Sequence, residues 1–241
     1  IIRCCNRAGL EVSEIVLQQL ASAEAVLTRD ERDLGVCLVD LGGGTADIAI
    51  FSDGAIVHTS VLPLGGNHLT TDIALGIRTP QEEAERIKKT YGCALTEDVD
   101  PDEMIDVPSV GGRKPRTLTR QLLCEIIEAR AEEIFQLVRQ EIHNTAYEDL
   151  LASGVVLTGG TSRLEGLGEL AEEVLGLPIR LGEPHGVGGL SDVVGSPAHA
   201  TGVGLLRHGA KRFVPSLDDP AGQGIYERAS QTLGGWLRAF F

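Results

Sequence analysis

The sequence predicts an α/β protein, and two observations carry that prediction. Three β-rich runs, Val36–Asp40, Thr45–Phe51 and Ala55–Leu62, are separated only by short glycine-containing turns, which is the pattern of an antiparallel meander. Further along the chain, the apolar run Val155–Thr158 precedes a helical segment and the run Ile179–Leu181. Strand, helix and strand in that order predict a βαβ unit, whose two strands pair in parallel.

The size and charge of the chain limit the kinds of protein it can be. With 241 residues, 42% of them hydrophobic and 23% charged, it can form one large globular domain or two small ones. A net charge of −14 argues against nucleic-acid binding, because phosphate backbones require clustered Lys and Arg. No apolar run reaches the roughly 18 residues of a spanning helix. The odd number and scatter of the cysteines indicate reduced thiols in a cytosolic protein: Cys4, Cys5, Cys37, Cys93 and Cys124.

The N-terminal residues predict three short elements. Ile2–Ala8 is expected to be a helix that ends at Gly9, followed by a strand at Glu11–Leu17 and a helix at Ala21–Leu27. Since the chain starts inside a predicted helix and without Met, we expect the beginning of a longer protein to be missing.

Three longer helices are predicted after the meander. The first should have Thr79 as its N-cap, Pro80 at its first position and Glu82 completing a capping box, and should end at Gly92. The second is long, about Thr119–His143, and the third, inside the βαβ unit, spans about 164–175. Residues that recur near the helical period define the face of the long helix: Leu122, Ile126, Arg130, Ile134, Val138 and Ile142.

The segment "DLGGGT", residues 40–45, is the first candidate site. Consecutive glycines let several backbone N–H groups point at one anion, most often a phosphate. Asp40 would repel a bare phosphate, but it is compatible with a phosphate bound to a Mg²⁺ ion that keeps some of its waters. Thr45 can add a hydroxyl to the phosphate or to the water shell of the metal. The alternative is a glycine-rich turn that Asp40 caps, and this motif alone leaves that alternative favoured.

Two further motifs favour a nucleotide site. "VVLTGGTSR" places Gly159 and Gly160 after a strand, with Arg163 available to stack on a base; a solvated arginine is the equal alternative. In "AERIKKTYG", Glu85 and Lys88 share one helix face and together can bind ribose hydroxyls, although an ordinary surface ion pair is the commoner explanation.

These motifs, in this order, resemble those of the actin-like ATPase superfamily, which has a ribonuclease-H-like fold. The resemblance implies that ATP binds with Mg²⁺, that Asp40 holds the metal's water shell, and that Gln19 stands where a residue orients the attacking water. Gln19 replaces the carboxylate of chaperone ATPases, which implies a weak ATPase at most. The implied nucleotide contacts are Gly42, Gly43, Thr45, Gly65, Gly66, Glu85, Lys88, Gly159, Gly160 and Arg163.

Within that superfamily, "VPSVGGRKPR", "AERIKKTYGCAL" and the terminal "WLRAFF" resemble the C-terminal half of the FtsA family of bacterial cell-division proteins. The resemblance implies the second lobe of the fold, with a larger and a smaller subdomain. The implied division is the end of the first lobe at 1–33, the nucleotide-binding subdomain at 34–78 and 151–210, the smaller subdomain at 79–150, a linker at 211–224 and an amphipathic helix at 225–241. The first phosphate motif of the superfamily is absent, and Ala198 stands where chaperones carry an aspartate.

The final 17 residues are predicted to form an amphipathic helix that lies in a membrane surface. Its apolar face would contain Trp236, Leu237, Phe240 and Phe241. A helix docked on the domain's own core is the alternative, and the family resemblance favours the membrane.

The function implied by the resemblance is an ATP-binding protein that polymerises and anchors the tubulin-like ring protein FtsZ to the inner face of the bacterial membrane at the division site. Arg116 and Arg130 are candidates for binding the C-terminal peptide of FtsZ or a neighbouring subunit, and solvated arginines are as probable an interpretation. The alternatives are an ATPase or phosphotransferase with the same fold, and a pilus-assembly adaptor of the same superfamily.

Overall fold

The computed structural model describes residues 1–188 and 191–213, and a five-stranded sheet with helices on both faces forms its centre. The strands are β1 Val36–Leu41, β2 Ala46–Ser52, β3 Ala55–Leu62, β4 Met104–Val107, β5 Arg116–Thr119, β6 Val155–Thr158 and β7 Ile179–Leu181. The helices are α1 Ile2–Arg7, α2 Gln18–Val26, α3 Arg29–Leu34, α4 Gly66–Gly76, α5 Gln81–Tyr91, α6 Arg120–His143, α7 Leu167–Leu175, α8 Ser191–Val194 and α9 Ala200–Phe213.

The central sheet has the order β3-β2-β1-β6-β7. β1, β2 and β3 pair antiparallel, whereas β1 pairs parallel with β6 and β6 with β7. The predicted meander and βαβ unit are therefore both confirmed. β1 and β6 are buried at every position, which explains why they read as continuous apolar runs without alternation.

The two faces of the sheet have separate cores. Val39 and Leu41 of β1 pack with α4, α5, α6 and α7, while Leu38 of the same strand packs with α2 and α9 on the other face. The path of β1 between these layers places Asp40, near its C-terminal end, at the edge of the second core, close to α2 and α9. This arrangement positions the candidate site.

The predicted bounds of α6 differ from the observed ones by one residue, and Thr119 caps it by accepting a hydrogen bond from the N–H of Leu122. The buried face is only partly the predicted one. Leu122 is 39% exposed, and Leu123 and Ile127 are buried instead. α6 packs against both α4 and α7, so its buried surface is broader than a single stripe.

Several local predictions are wrong. Residues 11–17 form no strand; Ile15 and Leu17 are more than half exposed, and no neighbouring strand in the described ranges pairs with them. α5 begins at Gln81 without a side-chain cap, because the Thr79 hydroxyl donates instead to the carbonyl of Pro108. α7 begins at Leu167, after a short 3-10 turn at Gly160–Arg163.

The sequence did not predict α3, α4 or the β4–β5 ribbon, which falls in the segment 79–150 expected to form the smaller subdomain. α9 continues to Phe213, so residues 211–213 are helical although they were predicted as linker. The rest of that linker and the amphipathic helix predicted at 225–241, with Trp236, Leu237, Phe240 and Phe241, lie outside the described residues. Within the described ranges, no helix has the length and apolar character needed to cross a bilayer.

Candidate functional site

Three glycine loops meet at one point of the structure, and the carbonyl of Gly42 joins them. That carbonyl accepts a hydrogen bond from the N–H of Gly66 at 3.0 Å and from the hydroxyl of Thr161 at 2.9 Å. The N–H of Asn67 donates to the neighbouring carbonyl of Gly43 at 2.7 Å. The loops after β1, before α4 and after β6 are thus tied together by backbone hydrogen bonds and by the Thr161 hydroxyl.

Glycine is required where these loops touch. A Cβ at Gly65 would lie 2.6 Å from the carbonyl oxygen of Gly42, and one at Gly66 would lie 2.3 Å from the hydroxyl of Thr161. Gly159 also has a φ of +92°, and its Cβ would lie 2.5 Å from Oδ1 of Asp40. The glycines in the sequence motifs therefore permit close contact between the loops.

The same contacts leave N–H groups available for a ligand. The first N–H groups of α4 bond the carbonyls of Gly42 and Gly43, so these carbonyls point toward α4. Among the described residues, the N–H groups of Gly43 and Gly44 donate to no backbone carbonyl, and both glycines are exposed. Neighbouring free N–H groups of this kind can bind an anion.

A cleft of about 550 Å³ opens beside these loops, which is within the range of small-molecule sites. Six of the predicted ligand residues line it: Gly43, Gly66, Glu85, Lys88, Gly160 and Arg163. Asn67, Thr161 and Ala198 also line it, and the Ala198 methyl lies 3.7 Å from where a Cβ of Gly160 would be. Gly42, Gly65 and Gly159 lie directly behind this wall, in contact with it through the backbone.

The α5 side of the cleft is built from side chains. Lys88 is buried, and its Nζ donates to the carbonyl of Gly66 at 2.9 Å and to the hydroxyl of Thr70 at 2.8 Å. It also lies 2.7 Å from Oε2 of Glu85, whose other oxygen is 3.0 Å from Nζ of Lys89. Burial opposes ionisation of Glu85, but hydrogen bonds from Lys88, Thr70 and Lys89 outweigh it and lower its pKa to about 2.

Lys88 therefore holds α5 against the start of α4, and all of its donors have close partners already. Glu85 is one-third exposed and faces the cleft as an ionised carboxylate, which can accept hydrogen bonds from hydroxyl groups. Of the predicted ribose-binding pair, Glu85 is thus the residue positioned for a ligand, and Lys88 is the residue that positions it.

Asp40 is 3% exposed, and its carboxylate lies beneath Gly159 instead of on the cleft wall. Its Oδ2 accepts a hydrogen bond from Ser22 at 2.6 Å and from Thr201 at 3.3 Å. Burial raises the pKa of Asp40, and the nearby carboxylate of Asp47 raises it further. A buried carboxylate with these surroundings favours a nearby cation.

Gln19 and Thr45 both hydrogen-bond Asp47, which the sequence analysis did not single out. Nε2 of Gln19 donates to Oδ1 of Asp47 at 3.2 Å, and the Thr45 hydroxyl donates to Oδ2 at 2.8 Å. Asp47 is the cross-strand partner of Asp40 on β2, and it is buried. In this structure the polar groups of Gln19 and Thr45 are therefore already hydrogen-bonded to another residue of the protein.

The three predicted arginines have different surroundings. Arg163 is exposed on the cleft wall and has no ion-pair partner among the described residues. Arg116 and Arg130 lie away from the cleft. Arg116 donates to the carbonyl of Ile77, and Arg130 of α6 forms an ion pair with Asp72 of α4, with Nη2 and Oδ1 3.2 Å apart.

Sequence reasoning missed Asn67, Thr161 and Asp47. Each lies within two residues of a glycine or polar residue that was chosen, so the motifs contained the signal. What they lacked was the direction of each side chain, which only the packing of the loops supplies.

The residues present fit a nucleotide carrying Mg²⁺. The site combines free N–H groups for phosphate, the buried carboxylate of Asp40 behind Gly159, and the carboxylate of Glu85 on the wall of a cleft of suitable volume. No group of three or more His, Cys, Asp or Glu side chains in the described ranges is arranged to bind a metal directly. Mg²⁺ commonly keeps several waters and binds through few carboxylates together with substrate phosphates.

Comparison with known proteins gives a family match. The family model described as "Cell division protein FtsA" matches residues 37–204. The cell division protein FtsA of Pseudomonas aeruginosa is 56% identical over 212 residues, which cover 88% of this chain and 51% of that protein. The chain spans about half the length of the curated relatives it matches.

Solved structures confirm the predicted actin-like fold. MreB5 of Spiroplasma citri bound to ADP superposes with a TM-score of 0.69 at 20% identity, covering 87% of this chain and 65% of that one. The MamK double helical filament gives a TM-score of 0.60 at 18% identity, covering 82% of this chain and 59% of that one.

Proposed function

The chain belongs to the FtsA family of cell division proteins, and from that premise we propose that it forms the half of an actin-like scaffold that binds ATP with Mg²⁺. The single observation that supports this most is the meeting of three glycine loops at one cleft, which Gly43, with its free N–H group, and the Glu85 carboxylate both line. A structural neighbour in the same fold was solved with ADP bound.

In this proposal the N–H groups of Gly43 and Gly44 hold the phosphates, and Asp40 holds the water shell of Mg²⁺. Glu85 accepts hydrogen bonds from the ribose hydroxyls, and Arg163 stacks on the base. The bound Mg²⁺ would neutralise phosphate charge and offset the cost of the ionised, buried Asp40. Thr161 holds the glycine loops together, and Lys88 holds α5 against the start of α4, so that both sides of the cleft are positioned for the ligand.

Catalysis of hydrolysis is proposed to be weak. An attacking water needs a residue that orients it or accepts its proton. Gln19 cannot act as a base, and in this structure its Nε2 donates to Asp47. We infer that the nucleotide acts mainly as a conformational ligand, and that turnover is slow compared with that of a dedicated ATPase.

Polymerisation and membrane attachment are the further parts of the proposal. MamK, with the same fold, forms a double helical filament. A single amphipathic helix at 225–241 would bind a membrane reversibly, because each large buried side chain contributes roughly 1.5–3 kcal/mol before ordering costs. Many such helices on one filament would bind firmly, since the first contact raises the effective concentration of the others. Vesicle co-sedimentation with and without residues 225–241 tests this part, and equal binding by the two forms would contradict it.

The proposed partner is the C-terminal peptide of the tubulin-like protein FtsZ, with Arg116 and Arg130 as candidate contacts. Arg116 is the better exposed of the two, and Arg130 is already paired with Asp72. A titration of that peptide against the Arg116→Glu and Arg130→Glu variants tests both residues. Unchanged affinity in both variants would remove them from the proposal.

ATP binding to the full-length protein tests the central claim. We expect Asp40→Ala to lower the affinity for ATP in the presence of Mg²⁺ by about tenfold or more, the size typical of losing a residue that supports a metal. Asp106→Ala, which removes an exposed carboxylate from β4, is the matched control and should bind as the wild type does. Wild-type affinity in the Asp40 variant would refute the proposed site.

A further inference from the structure

Two hydroxyl groups from different helices converge on one oxygen of Asp40. Ser22 of α2 donates to Oδ2 at 2.6 Å, and Thr201 of α9 lies 3.3 Å from the same oxygen. The two hydroxyl oxygens are themselves 2.9 Å apart. Ser22 is fully buried and Asp40 nearly so, which makes this a closed triangle of polar atoms inside the second core of the sheet.

The direction of the protons follows from hydrogen-bond counting. A carboxylate only accepts, and each hydroxyl has one proton to donate. The short contact assigns the Ser22 proton to Asp40, so the proton of Thr201 points either to Ser22 or to the carboxylate. Thr201 of α9 therefore supports Oδ2 either directly or through the Ser22 hydroxyl, which itself donates to Oδ2 from α2.

The close crossing of α2 and α9 makes this triangle possible. A Cβ at Gly204 of α9 would lie 1.7 Å from the carbonyl oxygen of Ala21, so only glycine permits this approach. Ala21 and Ala200 are small, buried neighbours at the same crossing. A larger separation of the helices would move Ser22 and Thr201 apart and break the contact to Asp40.

The other oxygen of Asp40 faces Gly159. Oδ1 lies 2.5 Å from the position that a Cβ of Gly159 would take, directly behind the loop that forms the cleft wall. Fixing Oδ2 therefore also fixes Oδ1, because the carboxylate is planar and its remaining rotation is removed. A carboxylate that supports a hydrated metal depends on partners of this kind.

We propose that Ser22 and Thr201 are positioning residues for Asp40, which set its orientation toward Mg²⁺ and link that orientation to the crossing of α2 and α9. This inference rests on the proposed function, because it assumes that Asp40 supports the metal. It predicts that removal of either hydroxyl weakens the effect of Mg²⁺ on ATP binding more than it weakens ATP binding itself.

The experiment measures ATP affinity of the full-length protein with Mg²⁺ and with EDTA, and compares the ratio of the two among variants. Ser22→Ala and Thr201→Val should each reduce that ratio, and the double variant should reduce it by about tenfold. Thr201→Ser keeps the hydroxyl and should restore the wild-type ratio. Affinity in EDTA should stay within about twofold of the wild type in all of them.

Thr158→Val is the matched control for a purely structural effect. Thr158 lies opposite Asp40 on β6 and is fully buried, and its hydroxyl donates to the carbonyl of Gly182 at 2.7 Å and not to Asp40. This variant should lower the melting temperature and leave the Mg²⁺ ratio unchanged. Melting temperatures of all variants show whether each one folds, and the serine variant at 201 keeps the test valid if the valine variant does not.

The outcomes separate the two proposals. If Asp40→Ala abolishes the Mg²⁺ effect while Ser22→Ala and Thr201→Val retain the wild-type ratio, the positioning role is refuted and the proposed function stands. If the wild-type protein shows no Mg²⁺ effect, or Asp40→Ala keeps it, both proposals are refuted together.

Discussion

The two walls of the candidate cleft are built by different means. The wall after β1 and β6 is mostly backbone: the N–H of Gly66 donates to the carbonyl of Gly42, and Gly159 packs against the carbonyl of Leu41. The opposite wall on α5 is made of side chains, with Lys88 and Thr70 holding Glu85. At Gly65, Gly66 and Gly159 the backbone wall has no room for an added Cβ, whereas the side-chain wall fails only when a specific partner is lost. The predictions below test that difference.

The largest effect is expected for Gly159→Ala. The added Cβ would lie 2.5 Å from both the Asp40 carboxylate and the carbonyl of Leu41, at a φ of +92° that disfavours alanine. We expect a loss of stability of about 3 kcal/mol or more, the range reached by overpacking combined with backbone strain. Urea unfolding measures it.

Gly168→Ala in α7 is the control for that variant. No atom lies within 4 Å of the position that its Cβ would take, and alanine favours a helix, so this change should be neutral or should stabilise by up to about 1 kcal/mol. Equal effects of the two substitutions would show that the backbone wall is not tightly constrained.

This contrast explains what could be predicted from the sequence. The glycine loops were found because consecutive glycines let backbone N–H groups approach an anion, and such glycines are visible in "DLGGGT" and "VVLTGGTSR". The meander and the βαβ unit were predicted for a similar reason, since buried strands need continuous apolar runs. The predicted actin-like fold, which rested on those motifs together, is confirmed by the structural neighbours.

The features that were missed depend on partners far away in the chain. Nothing local shows that the Thr79 hydroxyl would bond Pro108 instead of capping α5, or that Lys88 would turn toward the carbonyl of Gly66. Residues 11–17 have β-favouring side chains, but a strand also needs a partner, and none pairs with them in the described part of the chain. Side-chain direction and pairing are tertiary properties, so local patterns cannot give them.

The second prediction concerns the side-chain wall. Lys88→Met removes the donor to the Gly66 carbonyl and to Thr70. The Gly66 carbonyl keeps the hydrogen bond from the Thr70 hydroxyl, but the oxygen of that buried hydroxyl loses its donor. We expect a loss of about 2 kcal/mol, since a buried polar group left unsatisfied costs roughly 1–3 kcal/mol.

Lys89→Met is the matched control, because Lys89 contacts the same carboxylate but is 71% exposed. It should cost less than about 0.5 kcal/mol, as exposed ion pairs do. Chemical denaturation of both variants decides the matter, and similar losses in the two would mean that burial of Lys88 does not hold the wall together.

The third prediction is that Asp40→Asn stabilises the protein while it weakens the binding of Mg²⁺ with ATP. Burial raises the pKa of Asp40, so ionisation of this carboxyl costs free energy in the folded state. The uncharged amide avoids that cost, and we therefore expect Asp40→Asn to raise the melting temperature. Thermal unfolding without nucleotide and ATP titration with Mg²⁺ measure the two effects, and a lower melting temperature would contradict the first.

The smallest effect is expected for Glu85. Its folded-state pKa is about 2, below its ordinary value of 4.5, so the stabilisation is fully present above about pH 4.5 and is lost as the pH falls toward 2. Because the side chain is one-third exposed, Glu85→Gln should cost well under 1 kcal/mol at neutral pH. The difference from the wild type should shrink on acidification, which unfolding experiments between pH 7 and pH 3 can follow. Glu82→Gln, at an exposed position in the first turn of the same helix, corrects for the loss of one carboxylate from α5. A difference at Glu85 that stays constant with pH would mean that it does not come from the ionised carboxylate, which would contradict this prediction.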